Sequence, residues 1–232
     1  MGWNLVPSFQ SERRSFGSGV SKIWRNINSI WDQLNVELKN HDVNHGSSLN
    51  LSTTPTFYAL TDIGLGITGG NDSAIDTGYR MGDKIRLKTC NVKINLANPN
   101  ANPLKVRAFI VKHYENFDGV GPVYANIYDT DTKGYQAPTS FIGLRNNEHI
   151  NQYKILSSRQ IILSGNGTTD RNLEKTLNMF VKFKRKTGSY VEYDGGHATN
   201  DASNGKLYLV IHSDAAGTSA FDMVSRVTFI DN

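Results

Sequence analysis

The sequence predicts an all-β sandwich of eight antiparallel strands, preceded by one amphipathic helix. Three observations carry that expectation. After residue 50, short runs rich in β-branched and aromatic residues alternate with clusters of Gly, Asn, Asp and Pro, the pattern of strands separated by turns. Before residue 50, apolar residues recur at helical spacing in a single stretch. The chain has 232 residues, enough for one large all-β domain that buries about 70–75% of its unfolded surface without covalent staples.

Residues 1–17 show no period and read as an extended arm. Residues 18–40 read as the helix. Val20, Trp24, Ile27, Trp31, Leu34 and Leu38 follow spacings of 4, 3, 4, 3 and 4, an apolar stripe widened by Ile23 and Ile30. Ser18 or Ser21 can cap its start. Docking on its own or a neighbouring subunit, a short coiled coil, or a membrane-active surface all suit such a helix. The polar string that follows makes 41–53 a linker, and 54–232 the body.

Within the body we expect strands near Thr56–Asp62, Ile85–Leu96, Leu104–His113, Tyr153–Leu163, Lys175–Lys186, Ser189–Tyr193, Lys206–Ser213 and Ala220–Ile230. Asn98–Pro103, with prolines near both ends, joins the second and third strands. Thr187-Gly188 and Asn204-Gly205 are turn pairs. The stretch from Tyr114 to Gln152 is too long for a bare loop, so it predicts short helical turns or a surface excursion. Eight antiparallel strands with long crossovers suit two packed sheets.

Composition narrows the function classes. Cys90 is the single cysteine, so no intrachain disulfide forms, and it reads as a small core residue. No run reaches the roughly 18 apolar residues of a membrane span, and the N-terminus lacks the pattern of a signal peptide. Net charge is +4 with an isoelectric point near 9.1. Residues 80–115 hold eight Lys/Arg against two acids, and residues 171–186 hold six against one. The positive charge therefore lies in the body.

Strand alternation sorts that charge onto faces. Lys84, Arg86 and Lys88 oppose Ile85 and Leu87. Lys105 and Arg107 oppose Leu104, Val106 and Ala108. Lys182, Lys184 and Lys186 oppose Met179 and Val181. Joined on one sheet, these faces would bind several phosphates; apart, they are the solvated side of half-buried strands.

Other motifs fall short of a site. Gly64–Gly69 matches a dinucleotide fingerprint, but no helix follows it. Asp129–Gly134 copies half a calcium loop, with Lys133 where an oxygen ligand belongs and Ser140 at position twelve. The histidines lack zinc spacing, and no nucleophile elbow occurs. We expect no enzyme, cofactor or metal site.

Several segments of the body, taken in order, resemble one family. They are Tyr79–Lys88, Pro103–Val111, Leu144–Asn147 followed by Tyr153–Leu156, Val181–Lys184, Tyr193–Gly195 and Leu207–Val210. Over 54–232 the chain resembles the capsid proteins of small circular single-stranded DNA viruses, the circovirus-like group. The resemblance implies a single eight-stranded antiparallel jelly-roll sandwich. It also implies a homo-oligomeric icosahedral shell of about 60 copies around single-stranded DNA, and a virion location with passage through the host nucleus. The nucleic-acid contacts it suggests are Lys84, Arg86, Lys88, Lys105, Arg107, Lys182, Lys184 and Lys186, with Arg13 and Arg14 in the arm. The dense basic arm of the family is missing here. Only Arg13, Arg14, Lys22 and Arg25 stand in its place, so the strand faces must supply most of the interior potential. No residue pattern identifies a host receptor. Two alternatives remain open: a jelly-roll coat of a small RNA or satellite virus, and a carbohydrate-binding or receptor-binding jelly roll using Tyr124, Tyr128 and Tyr135 as exposed stacking surfaces.

Overall fold

Among the described residues, ten strands and one helical turn build the body. The computed structural model describes residues 23, 38–64, 79–80, 82–114, 122–128, 145–165, 174–184, 189–193, 202–215 and 220–231. The 1–17 arm, the helix predicted over 18–40 up to residue 37 apart from Ile23, the Thr187-Gly188 turn, the 129–134 motif and the 64–69 motif beyond Gly64 lie outside the described residues.

The strands are β1 (Leu38–Asn50), β2 (Thr56–Ala59), β3 (Lys84–Ala97), β4 (Leu104–His113), β5 (Tyr153–Leu163), β6 (Glu174–Lys182), β7 (Tyr190–Tyr193), β8 (Ala202–Asn204), β9 (Lys206–Ser213) and β10 (Ala220–Asp231). One helical turn, α1 (Tyr124–Ile127), lies between β4 and β5. Sheet A runs β1-β10-β3-β7-β8, and β6 also pairs with β3; sheet B runs β2-β9-β4-β5. All pairings between strands are antiparallel.

The pairings nest. β1 pairs with β10, β2 with β9, β3 with β6, and β4 with β5. The chain is thus one long hairpin, rolled so that alternate pairs fall on opposite sheets. That is the jelly-roll arrangement, and it agrees with the predicted fold class.

Most predicted strands match within a few residues. Residues 41–53 are not a linker: β1 spans Leu38–Asn50 along the β10 edge, and it takes in the last residues predicted as helix. The compact unit accordingly begins at Leu38. β1 is an edge strand, and its polar side chains need little apolar cover. The three-residue β8 was too short to predict.

Between the sheets lies the core. Strand alternation turns Ile85, Leu87, Val92, Ile94 and Leu96 of β3 toward Val106, Ala108 and Ile110 of β4, with Leu209, Met223, Val227 and Phe229 joining them. Cys90 is fully buried there, and burial pushes its thiol up to about 12, consistent with a packing residue.

Polar pins hold the places where the chain crosses between sheets. Asn98, buried after β3, donates from Nδ2 to the carbonyls of Asn102 and Ser164 at 3.0 Å each. Arg80 is fully buried. It donates to the carbonyls of Ile63 and Gly82, and its guanidinium lies 4.1 Å from the Tyr193 ring centre. The Tyr193 hydroxyl donates to the Thr61 carbonyl at 2.9 Å. A third pin is Lys112. Its Nζ donates to the Tyr190 carbonyl at 2.7 Å, which links β4 of sheet B to β7 of sheet A. Burial, then the nearby Lys154, brings its pKa down to about 8. Buried cations need such partners.

Gly205 carries the chain from β8 in sheet A to β9 in sheet B at φ +76°, and its Cα sits against the same corner. A Cβ there would lie 2.4 Å from the Tyr190 carbonyl oxygen and 2.9 Å from Lys112 Cε. Gly205→Ala should therefore destabilise the fold by about 2 kcal/mol or more, lowering Tm by about 4–8 °C in a thermal melt. An unchanged Tm would contradict this account of the corner.

Candidate nucleic-acid interface

The basic strands divide between the two outer faces. β3 and β6 are neighbours in sheet A, whereas β4 belongs to sheet B. The sequence-predicted cations therefore do not form one surface. Lys84, Arg86, Lys88, Lys182 and Lys184 share the outer side of sheet A. Lys105 and Arg107 lie on the outer side of sheet B. Lys186, Arg13 and Arg14 lie outside the described residues.

On sheet A the backbone sets the spacing. β3 pairs with β6 over Thr89–Ala97 and with β7 over Lys84–Arg86. A register shift against β10 falls between Thr228 and Phe229, where Thr89 and Leu87 are the partners, so Lys88 is the extra residue of a bulge. At this bulge β6 ends and β7 begins. The Phe183 N–H donates to the Lys88 carbonyl at 2.9 Å, and the Leu87 N–H donates to the Ser189 carbonyl at 2.7 Å. A cleft of about 360 Å³ opens at the handover, lined by Arg86, Leu87, Lys88, Thr89, Lys182, Phe183, Lys184 and Ser189. Four of the predicted cations meet there.

Their neighbours differ in charge balance. Lys84 is paired with Glu192 at 2.5 Å across β3–β7. Arg226 makes a two-pronged pair with Asp42 across β1–β10, at 2.7 and 2.6 Å, and this holds the Asp42 carboxyl below its usual range. Lys88 is held below the usual lysine range by partial burial and then by Arg86. Two residues from Lys182, Phe180 points outward and is 60% exposed. Phe180 and Ser189 are not among the contacts predicted from sequence. The signal for Phe180 was present, because it falls on the polar side of β6 with Thr176, Asn178 and Lys182.

Sheet B presents a different outer face. Phe109, Val111, Tyr153, Tyr208 and Val210 are covered there by Tyr124, Ile127 and Tyr128. Tyr124 and Tyr128 are 6% and 5% exposed, so they are not the surface stacking platforms expected from sequence. Tyr135 lies outside the described residues. Arg107 is part of this layer. It donates to the Tyr128 hydroxyl at 2.5 Å, and its guanidinium lies 4.2 Å from that ring centre. Only Lys105 remains exposed among the two predicted cations of β4. Two histidines complete the layer. His113 stacks on Tyr153 with ring centres 4.5 Å apart, and His212 Nε2 lies 3.4 Å from the Tyr124 hydroxyl. Burial pushes both down to about 4, helped by Lys206 beside His113 and Arg107 beside His212.

Among the described residues, no group of three or more His, Cys, Asp or Glu is placed to hold a metal, and no helix is long and apolar enough to cross a membrane.

No protein-family model and no curated protein matches the chain. Similar solved structures include desmodium yellow mottle tymovirus, at 10% identity and a TM-score of 0.34, covering 84% of this chain and 88% of that one. The empty head of turnip yellow mosaic virus is similar at 12% identity and a TM-score of 0.31, covering 85% and 82%.

The histidines give this face a pH dependence. Their folded pKa values lie below the unfolded value of about 6.5, so the unfolded chain binds more protons as pH falls from neutrality. Stability is full above about pH 6.5 and is lost as pH drops toward 4. Between pH 7 and 5 the loss should be about 2 kcal/mol per histidine, read as a fall in unfolding free energy by urea titration. The His113→Gln/His212→Gln double variant should flatten that dependence. A wild-type stability constant across this range would contradict the neutral burial of both rings.

Proposed function

We propose that this chain is a structural coat protein, copies of which close into a small shell around single-stranded DNA. One observation carries the reading: the rolled-hairpin jelly roll leaves one outer sheet face open and basic while it covers the other. Jelly rolls build viral capsids and also lectin-type domains, and fold alone does not choose between them. The open face favours the coat reading. Arg86, Lys88, Lys182 and Lys184 converge in its cleft, and a converging set of cations suits phosphates. The family resemblance over 54–232 supports the same choice. The sugar-binding alternative loses support, because Tyr124 and Tyr128 are buried.

Assembly has its own support. Ile162 on the β5 edge is 57% exposed, and Val123 and Ile150 of the excursion are 46% and 45% exposed. Apolar side chains beside open strand edges suit contacts between copies. In the smallest icosahedral shell about 60 copies would meet this way. The proposed role is structural rather than catalytic, and the location is the virion.

Electron microscopy of the purified recombinant protein tests the proposal, with nucleic-acid and protein absorbance recorded on the same sample. The expected result is uniform small shells holding nuclease-protected nucleic acid. Uniform empty shells would keep the coat and remove the genome contact. Monomers or trimers across salt and pH would overturn the proposal.

A further inference from the structure

The sheet A cleft is a built site. It is lined by the apolar Leu87 and Phe183 and by the cations Arg86, Lys88, Lys182 and Lys184. No acidic residue lines it among the described residues. Among the described residues, Lys88, Lys182 and Lys184 take part in no ion pair, unlike Lys84 and Arg226 on the same sheet. Lys88 and Arg86 repel one another, an arrangement that an anion between them relieves. Ser189 adds an independent observation. It is 2% exposed and lines the cleft, and its hydroxyl has no hydrogen-bond partner. A buried hydroxyl in that condition costs free energy, and a phosphate oxygen would satisfy it.

The outer surface beside the cleft says which phosphate. Phe180 and Lys182 lie on one face of β6, two residues and about 7 Å apart along the strand. An exposed aromatic ring beside a cationic site is the arrangement that stacks an unpaired base while the backbone is held. A duplex buries its bases and has no use for the ring, and a sulphated sugar chain lacks a flat base to stack.

We propose that the cleft holds a phosphate of single-stranded nucleic acid through Arg86, Lys88, Lys182, Lys184 and Ser189, with the adjoining base stacked on Phe180; this rests on the coat-protein reading and gives it a contact point. Each subunit would then fix the strand at the same place, where β6 leaves β3 and β7 joins it.

The test is fluorescence anisotropy of a labelled oligothymidylate with full-length protein at several salt concentrations. Lys182→Ser/Lys184→Ser should weaken binding at least tenfold and reduce the slope of log affinity against log salt by about 0.7, the share of one single-strand phosphate. Phe180→Ala should weaken binding about fivefold or more without changing the slope. Ser189→Ala should weaken it about tenfold. Lys105→Ser on sheet B should leave it unchanged. Matching melting temperatures confirm that the variants fold. Two outcomes would overturn the proposal: unchanged binding in Phe180→Ala and Lys182→Ser/Lys184→Ser, or a duplex of equal length bound as tightly as the single strand. Imaging the same preparations keeps the readings apart. Shells with unaltered binding sink the cleft and leave the coat, whereas absence of shells sinks the coat itself.

Discussion

The structure depends on how strand β3 is paired. It is 14 residues long, and on the side away from β10 no single strand matches it. β6 pairs with its second half and β7 with its first three residues. Backbone donors and acceptors must be satisfied when buried, and the Phe183 and Ser189 contacts complete the ladder across the join. The side chains at the join have no such continuous partner. Two strands diverge there, a bulge adds Lys88, and the cleft is the space they leave. The meeting of Arg86, Lys88, Lys182 and Lys184 at one cleft thus follows from a mismatch in strand lengths.

The same roll decides which cations reach the surface. Arg80 and Lys112 count toward the positive charge of residues 80–115, yet both are buried. Each holds carbonyl groups where the chain passes between sheets. Arg107 is half-buried and tied to Tyr128. Charge that looks like a ligand surface along the sequence is partly internal scaffolding. Removing the buried group divides the molecule into an open basic side and a side closed by its own excursion. That closed side carries neutral histidines, so its packing weakens in acid.

Much of the fold was legible in the sequence. β4, β5 and β9 were bounded as observed, because Leu104–His113, Tyr153–Leu163 and Lys206–Ser213 are strongly β-prone and end at clear turn residues. β1 was not legible. Leu38–Asn50 is polar, and an edge strand draws its order from the β10 backbone rather than from apolar side chains. The site was partly legible. Alternation put Lys182 and Lys184 on one face and Lys84, Arg86 and Lys88 on another. It did not show that β3 and β6 are neighbours while β4 lies in the opposite sheet, because that pairing joins residues far apart in the chain. Ser189 was invisible as a site residue, since its orphaned hydroxyl is a property of packing alone.

On the proposed reading, the outer face of sheet A meets nucleic acid and that of sheet B does not. Lysine acetylation mapped by mass spectrometry on the nucleic-acid-bound protein, before and after nuclease treatment, tests it most directly. Lys88, Lys182 and Lys184 should be protected while nucleic acid is present and become reactive once it is removed, with Lys105 reactive throughout. Protection of Lys105, with Lys88, Lys182 and Lys184 reactive in both states, would contradict it.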